Sequence, residues 1–468
     1  MSLKTIMTVY NSTPMRIIIN NLVSILETSN QKLKDILEKK YKKKVEGYKF
    51  VSSYKQGFWD GCKKFFEKKT GKFGTGLLSY IKEDLIITGL NYTLEDNRES
   101  ISLSNYSLSS IKYREYQEIL VKKALEERGC IIQAPTGSGK TIILAGLLKA
   151  LENYTGLVIF NKKQLVHQTY EFLIKNGFDV GIAFGEGVDL RPITLCTIQS
   201  IDKVLDTHLK HSEFIIIDEV HEFSKGKLSL KVIKSFPKAS YRIGMTATVP
   251  KDPVAKLNLI SALGRVIKEV DASELIDLGF LTKPKIYILP APEVLLKPKD
   301  SYIDVYRKAI TENDLRNLLI HRTVKAVQKN PSKTLILVKD LAHAKALQEL
   351  IPGSLKLEGK DDLLVRNSTV KDFVSQDKGV LIATTIFQTG VDIPEITHLI
   401  NARGLKSEIA TLQALGRALR THSSKQEVYI YDFMDKAPYL EKHSKERIKS
   451  YKSLNFEVIN NAKEKRKI

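Results

Sequence analysis

The chain has 468 residues, of which 74 are lysine or arginine and 53 are aspartate or glutamate, giving a formal net charge of +21. Hydrophobic residues make up 43%, which supports sizeable cores and excludes a largely disordered chain. Three scattered cysteines exclude a disulfide framework, and no apolar run approaches the ~20 residues of a membrane span. We expect a cytoplasmic protein of about three domains that binds a polyanion, most simply nucleic acid. The charge alone leaves an anionic membrane surface open as a partner, and the motifs below favour nucleic acid and no membrane.

The first basic segment, residues 32–72, holds 14 lysines against five acidic residues. Lysines such as Lys63 and Lys64 predict phosphate contacts that read no sequence. Aromatic residues lie between these lysines, and rings such as Trp59 can stack on unpaired bases at a fork. Alternatively, the rings form the core of a domain of about 90 residues, because small domains need every large apolar group. Both interpretations stay open here. The rings are those of Tyr48, Tyr54, Phe58, Trp59, Phe65, Phe66 and Phe73.

The middle of the chain has a different pattern. Short β-branched runs such as 214–217 and 335–338 alternate with stretches of helical spacing. Such runs predict buried parallel strands, and their alternation with helices predicts an α/β fold. A proline-bearing stretch at 283–298 reads as linker or edge structure between two α/β blocks.

The sequence APTGSGKT at 134–141 follows an apolar run and precedes a helical one. That context predicts a phosphate-binding loop, in which glycines allow the tight turn and backbone N–H groups face the phosphates. Lys140 is predicted to neutralise the β- and γ-phosphates of ATP, and Thr141 to ligate Mg²⁺. The other predicted cradle residues are Thr136, Gly137, Ser138 and Gly139.

Two further signals complete a predicted site for phosphoryl transfer. Asp218 and Glu219 follow an apolar run, and acidic residues at the carboxyl end of a parallel strand face the ligand crevice. Asp218 is predicted to hold Mg²⁺, and Glu219 to orient or deprotonate the attacking water. Arg417 and Arg420 share a helix face and are predicted to stabilise the developing charge. Taken alone, the two acidic residues could be a turn after a buried strand. Taken alone, the two arginines could be an exposed basic helix face.

In this order and spacing, the signals resemble those of superfamily 2 helicases and translocases over about residues 111–433. The resemblance implies two tandem RecA-like parallel-sheet motor domains that use ATP and Mg²⁺. It also implies that Arg114 and Gln117 read the adenine and that Gly390 and Asp392 touch the nucleotide sugar. The residues with implied nucleic-acid contacts are Lys162, Gln164, Thr197, Gln199, Thr384 and Thr385. The residues with implied roles in coupling hydrolysis to movement are His221, Thr246, Thr248 and Gln413.

Two details bear on the substrate class, one within the motor and one in the N-terminal segment. The Thr-Ala-Thr motif at 246–248 begins with threonine where DEAD-box RNA helicases usually have serine, and it looks more like the DNA-translocating branch with the XPB-type helicases. The sequences EGYKF at 46–50, FWDG at 58–61 and GKFGTGLL at 71–78 resemble the small α+β N-terminal domain of UvsW-type branch-migration helicases of phages.

This second resemblance implies an ATP-dependent DNA helicase that remodels branched or forked DNA in recombination, repair and replication. Its implied reactions are Holliday-junction branch migration, fork regression and unwinding of D-loops and R-loops, so RNA–DNA hybrids are further expected substrates. We expect a monomer. A superfamily 2 RNA helicase, and a nucleic-acid-binding protein whose ATP site is a switch with little unwinding, remain alternatives.

The predicted domain organisation follows from the same signals. The sequence predicts a basic N-terminal DNA-binding domain at 1–106 and an ATP-binding RecA-like domain at 107–280. A second RecA-like domain is predicted at 281–435. The remaining 436–468, with ten basic and four acidic residues, is predicted to be a basic helical tail that packs on the second motor domain or touches duplex DNA.

Overall fold

The computed structural model describes residues 15–185, 187–224, 233–359, 361–384, 393–406, 416, 418–422 and 425–460. The described chain divides into two compact units. The first contains the described residues up to 134 and those from 139 to 269, and the second contains 135–138 and the described residues from 270. Within the described part of the chain, no helix is long and apolar enough to cross a membrane.

A small module with a four-stranded sheet opens the first unit. Its elements in chain order are β1 (Arg16–Ile19), β2 (Val23–Glu27), α1 (Gln31–Lys40), β3 (Lys42–Lys44), α2 (Ser52–Lys55), β4 (Cys62–Lys64), β5 (Lys72–Gly74), α3 (Leu78–Ile87) and β6 (Thr93–Asp96). The sheet has the order β5-β2-β1-β6, and alternate residues such as Ile17 and Ile19 are buried. The Asn30 side chain caps α1 by accepting a hydrogen bond from the Leu33 N–H.

Strands β3 and β4 form a separate antiparallel ribbon, in which Lys42 lies opposite Lys64. Like charges directly opposite each other destabilise a strand pair. Here Lys42 pairs with Asp60 at 2.6 Å and Lys64 pairs with Glu38 at 3.1 Å. The ribbon therefore concentrates positive charge while two carboxylates offset part of the repulsion.

A parallel sheet forms the rest of the first unit. Its principal elements in chain order are α4 (Glu115–Glu127), β7 (Gly129–Gln133), α5 (Lys140–Ala150), β8 (Gly156–Phe160), α6 (Lys163–Lys175), β9 (Gly181–Phe184), β10 (Gly187–Asp189), β11 (Ile193–Thr197), α7 (Ile201–Leu205), β12 (Phe214–Ile217), β13 (Tyr241–Thr246), α8 (Pro253–Leu263) and β14 (Arg265–Ile267). The strand order is β10-β9-β11-β8-β12-β13-β7-β14, and all pairs except β9–β10 are parallel. Every residue of β8, β11 and β12 is buried, which explains their unbroken apolar sequences.

The N-terminal module and the parallel sheet share one hydrophobic core. Buried Leu26 and Leu77 of the module belong to the same cluster as Leu259 of α8. Contact is closest at Gly76, where an added Cβ would lie 1.9 Å from the Ile260 carbonyl oxygen. Backbone lies directly on backbone there, so the module is packed firmly onto the sheet.

Replacing Gly76 with alanine is expected to lower the free energy of unfolding of the first unit by about 1–3 kcal/mol, because the new methyl group overlaps α8. Urea denaturation followed by the fluorescence of Trp59 measures this change. Gly187→Ala is the control, because an added Cβ there meets nothing closer than 3.8 Å. Equal midpoints for Gly76→Ala and the control would show that the module and α8 are not in contact.

A second parallel sheet organises the second unit. Its principal elements in chain order are α9 (Ala272–Asp277), β15 (Lys283–Pro290), α10 (Tyr302–Tyr306), α11 (Asp314–Val327), β16 (Ser332–Leu337), α12 (Leu341–Leu350), β17 (Leu355–Leu357), α13 (Leu363–Ser375), β18 (Lys378–Ala383), β19 (His398–Asn401), β20 (Glu427–Met434), α14 (Leu440–Ser453) and β21 (Glu457–Asn460). The strand order is β17-β18-β16-β19-β20-β15-β21, and all pairs are parallel. Two parallel sheets of this kind confirm the predicted α/β fold class with two RecA-like domains.

The proline-bearing stretch begins with a paired strand and not with a linker. β15 lies between β20 and β21 and bonds to both. Its ladder with β21 starts opposite Lys285, one residue after Pro284, so the missing proline N–H is not required on that side. The expectation of linker or edge structure was therefore wrong for residues 283–290, because this strand has a neighbour on each side.

The segment predicted as a basic tail contributes to the second sheet. Helix α14 packs beside β20, and β21 extends the sheet next to β15. This segment was expected either to pack on the second motor domain or to touch duplex DNA. Its described part packs on the second motor domain. The last lysine-rich residues, 461–468, lie outside the described residues.

A buried ion network holds α14 to the sheet. Arg447 contacts Asp432 at 2.9 Å, and the Tyr451 hydroxyl donates to the same carboxylate at 2.5 Å. Arg316 pairs with Asp435 at 3.0 Å nearby. Burial disfavours the charge on Asp432, but the Arg447 charge and these hydrogen bonds hold the pKa of Asp432 below its usual range. Each buried charge of the network has an opposite charge beside it, so loss of one partner would leave the other buried without compensation.

Candidate active site

The predicted phosphate loop connects β7 to α5. Gly137 has φ 87° and Gly139 has φ 77°, left-handed values that residues with a side chain rarely adopt. Left-handed residues within such a turn form an anion-binding concavity of backbone N–H groups. The Lys140 ammonium donates to the Ala134 carbonyl at 3.2 Å and so lies folded over the loop. Loop and lysine therefore have the geometry of a phosphate site.

The predicted adenine-reading residues lie beside this loop. Gln117 is fully buried, and its side-chain oxygen accepts a hydrogen bond from the Arg114 N–H at 2.9 Å. A Cβ added at Gly139 would lie 2.4 Å from the Gln117 amide nitrogen. The start of α4 thus packs against the phosphate loop, with the Gln117 amide beside Gly139.

The two predicted catalytic carboxylates follow β12, whose neighbours are β8 and β13. Asp218 is buried, and burial followed by the neighbouring Glu219 charge raises the pKa of Asp218 to about 7, while Lys140 acts in the opposite direction. Among the described residues, Asp218 Oδ1 has no hydrogen-bond partner. Glu219 has φ 46°, a left-handed value for a non-glycine residue that costs about 1–3 kcal/mol.

These residues fit a magnesium ion. A buried carboxylate oxygen without a partner is a site that a cation satisfies, and Mg²⁺ prefers one or two carboxylates with phosphate and water oxygens. The described residues contain no group of three or more His, Cys, Asp or Glu side chains that would hold a metal alone. Asp218 and the Thr141 hydroxyl at the start of α5 are the residues that would hold the ion.

A hydrogen-bond relay joins Glu219 to the end of β13. His221 Nδ1 lies 3.3 Å from the Glu219 carboxylate and 2.9 Å from the Thr246 hydroxyl. Thr246 in turn accepts from the Thr248 N–H at 3.1 Å. Three of the four residues predicted to couple hydrolysis to movement, His221, Thr246 and Thr248, are therefore in one chain of contacts with the predicted general base.

The first predicted nucleic-acid contacts lie where β8 and β11 end. These strands are parallel neighbours, and the Gln199 side-chain nitrogen lies 3.5 Å from the Asn161 carbonyl oxygen. Gln199 is exposed, and Lys162 lies 4.0 Å from Glu222. Gln164 is half-buried at the start of α6. Thr197 is buried and bonded to Ser200.

Fewer of the predicted residues are described in the second unit. Thr384 follows β18 and is buried, with its N–H donating to the Leu357 carbonyl at 3.3 Å. The Arg420 backbone pairs with Leu281 in an isolated bridge. The predicted residues that lie outside the described chain are Thr385, Gly390, Asp392, Gln413 and Arg417.

A basic groove of about 980 Å³ lies between the N-terminal module and the first parallel sheet. Its charged lining residues are Lys63, Lys64, Lys68, Lys69, Lys72, Lys234, Arg242, Glu38 and Glu67. The Lys63 ammonium donates to Asn258 of α8 at 2.6 Å. Burial, and then the Lys234 charge, lower the pKa of Lys63. The cations in this cleft repel one another, and a bound anion would relieve that repulsion.

Arg242 forms part of the groove wall and was not predicted from the sequence. It is buried, and it donates to the carbonyl oxygens of Phe236 at 2.9 Å and Ala262 at 3.3 Å. Carbonyls carry no formal charge, and burial lowers the pKa of Arg242 to about 9. No sequence motif marks Lys234 or Arg242. The sequence could not indicate their role, because only the packing of the module on the sheet brings them into one cleft with Lys63.

Trp59 is half-buried, and its indole N–H donates to the Cys62 carbonyl at 2.8 Å. Phe65, Phe66 and Phe73 are buried in the shared core. The core interpretation is therefore right for these three rings. Phe58 is different, since its side chain is 84% exposed.

Comparisons with known proteins agree with this geometry. Residues 110–251 match the family described as the res subunit of type III restriction enzymes, and residues 313–422 match the helicase conserved C-terminal domain. The chain is 24% identical to the ATP-dependent DNA helicase uvsW of Enterobacteria phage T4, over 89% of this chain and 92% of that protein.

Two further likenesses concern other branches of helicases. The chain is 26% identical to the DNA 3'-5' translocase XPB2 of Sulfurisphaera tokodaii, over 66% of this chain and 79% of that protein. The structure of S. cerevisiae Dbp5 bound to RNA and ADP BeF3 matches with a TM-score of 0.53 and 15% identity, over 75% of this chain and 90% of that one. At that identity the likeness shows the fold alone.

Proposed function

Because the chain is a superfamily 2 helicase related to UvsW and to the XPB/Rad25 translocases, we propose that it uses ATP to translocate on DNA and remodel branches. The proposed reactions are Holliday-junction migration, fork regression and unwinding of D-loops and R-loops. The observation that carries this proposal is the basic groove, formed by a module that shares its core with the ATP-binding sheet. Nucleic acid bound in this groove would move whenever the ATP-binding sheet moves, because the groove is fixed to that sheet.

In the proposed hydrolysis, Lys140 and the loop N–H groups bind the phosphates. Glu219 orients or deprotonates the attacking water. Mg²⁺, when bound, neutralises phosphate charge. A change in the position or charge of the Glu219 carboxylate is transmitted through the His221–Thr246 contact to the segment after β13. Arg417 and Arg420 remain predicted to stabilise the developing charge.

The basic groove is proposed to hold a duplex arm by its phosphates. Seven basic and two acidic residues line it, and lysine contacts to phosphate read no sequence. Replacing two groove lysines should therefore weaken binding to every DNA sequence alike, and the weakening should be largest at low salt.

The double variant Lys63→Gln/Lys234→Gln is expected to lower the slope of log affinity against log salt by about 0.9 for each phosphate that the protein no longer neutralises. Fluorescence anisotropy of a labelled duplex between low and moderate salt measures this slope. The control is Lys122→Gln/Lys175→Gln, two exposed lysines of α4 and α6 outside the groove. An unchanged slope in the groove variant would exclude the groove as a DNA site.

ATP hydrolysis measured with different nucleic acids tests the proposed function as a whole. We expect forked and four-way DNA to stimulate hydrolysis more than linear duplex DNA or single-stranded RNA. If single-stranded RNA were the best stimulator, the proposal of a DNA-remodelling enzyme would be wrong.

A further inference from the structure

The ribbon of β3 and β4 carries a projecting segment, residues 45–61, that we call the aromatic lobe. Five of its 17 residues are aromatic. They are Tyr48, Phe50, Tyr54, Phe58 and Trp59. A short helical turn at Tyr48–Phe50, helix α2 and two tight turns at glycines build the lobe.

The lobe has no core of its own. Every residue from 45 to 60 is described, and each is half-buried or exposed. Phe50 and Phe58 are both 84% exposed, whereas Phe66 in the adjoining module is 1% exposed. Burial therefore does not account for the two phenylalanines, and each leaves a large apolar surface in water.

The lobe is nevertheless held in one conformation by local contacts. The Phe50 N–H donates to the Gly47 carbonyl at 2.9 Å, and the Trp59 N–H donates to the Ser53 carbonyl at 3.1 Å. The rings of Tyr48 and Tyr54 meet edge to face at 4.7 Å. Because the frame is already ordered, the lobe loses little chain entropy when a ligand covers the phenylalanines.

The sequence that carries these rings is rich in lysine. Residues 42–64 contain seven lysines and two acidic residues, and the Lys44 ammonium lies 4.8 Å from the centre of the Tyr48 ring. Strand β4 carries Lys63 and Lys64, which line the basic groove, and its other end joins the lobe. The lobe and the groove are thus adjoining lysine-rich regions joined through β4, and the lobe adds exposed aromatic rings.

Unpaired nucleic-acid bases match both halves of this surface. Their phosphates complement the lysines, and every base has a face that stacks on a phenylalanine ring irrespective of sequence. Paired bases inside a duplex offer no such face. A duplex arm bound in the groove would therefore reach the lobe at the point where its strands separate.

We propose that Phe50 and Phe58 stack on unpaired DNA bases at the mouth of a branch whose duplex arm lies in the basic groove. The inference rests on the proposed function for its nucleic acid. It adds a base-binding site on the N-terminal module, separate from the motor motifs.

The test uses the full-length chain and forked DNA with 2-aminopurine at the first unpaired position, without ATP. Binding of the wild type is expected to change the 2-aminopurine fluorescence through stacking. The variant Phe50→Ala/Phe58→Ala is expected to lose most of that change and to bind the fork roughly tenfold more weakly, since stacking on one base is commonly worth that much or more. Its affinity for linear duplex should stay within about twofold of the wild type.

The matched control is Ile86→Ala/Ile87→Ala, which removes two exposed apolar side chains from α3 of the same module. Thermal unfolding of both variants should equal that of the wild type, because no side chain removed is buried. If the phenylalanine variant kept the wild-type fluorescence change and fork affinity, the inference would be overturned. If forked DNA still stimulated ATP hydrolysis, the proposed function would be unaffected by the failure of this inference.

Discussion

Replacement of Glu219 by glutamine is expected to slow ATP hydrolysis by about 10²–10⁴-fold, the usual contribution of a positioned general base. ATP binding should persist, because the phosphate loop and Lys140 are unchanged. Glutamine keeps the shape of the side chain but cannot accept a proton. Steady-state phosphate release and binding of a fluorescent ATP analogue measure the two effects separately.

Glu126→Gln on the exposed face of α4 is the matched control for this variant and should hydrolyse ATP at the wild-type rate. Hydrolysis within a few-fold of the wild type in Glu219→Gln would mean that another group activates the water. The buried relay from Glu219 through His221 to Thr246 would then serve only to support the fold.

Replacement of Arg447 by alanine is expected to destabilise the second unit by about 3–5 kcal/mol, because it leaves the Asp432 carboxylate buried without its partner charge. Both side chains are 1% exposed, so solvent screening does not reduce the effect. The only tryptophan, Trp59, lies in the first unit and cannot report this change. Hydrogen–deuterium exchange of the α14 amides measures it directly.

The control for Arg447→Ala is Lys449→Ala, which removes an exposed cation from the same helix and should change stability by about 0.5 kcal/mol or less. Equal exchange rates in the two variants would mean that the ion network does not hold α14 to the sheet. The pairing of β21 with β15 would then be the dominant attachment of the C-terminal segment.

Much of the fold and of the ATP site could be predicted because the signals are local. The phosphate loop needs glycines at fixed positions between one strand and one helix, and the structure gives Gly137 and Gly139 the left-handed backbone that this requires. Asp218 follows a strand whose apolar residues are consecutive because both faces of a parallel sheet are covered.

The nucleic-acid surface could not be predicted in the same way, because it depends on tertiary packing. Phe65 and Phe58 stand in similar lysine-rich surroundings, yet one is buried and the other is exposed. Lys63 meets Lys234 only because Gly76 lets the module rest on α8. Pro284 suggested a linker or an edge, and only the register of β21 shows why an interior strand tolerates it.

The most direct test of the central claim is a strand-exchange assay on a labelled four-way DNA junction with ATP, using the wild type and Lys140→Ala. We predict that the wild type converts the junction into two-armed products and that Lys140→Ala binds the junction without converting it. Unwinding of duplex RNA by a wild type that leaves four-way and forked DNA intact would contradict the account.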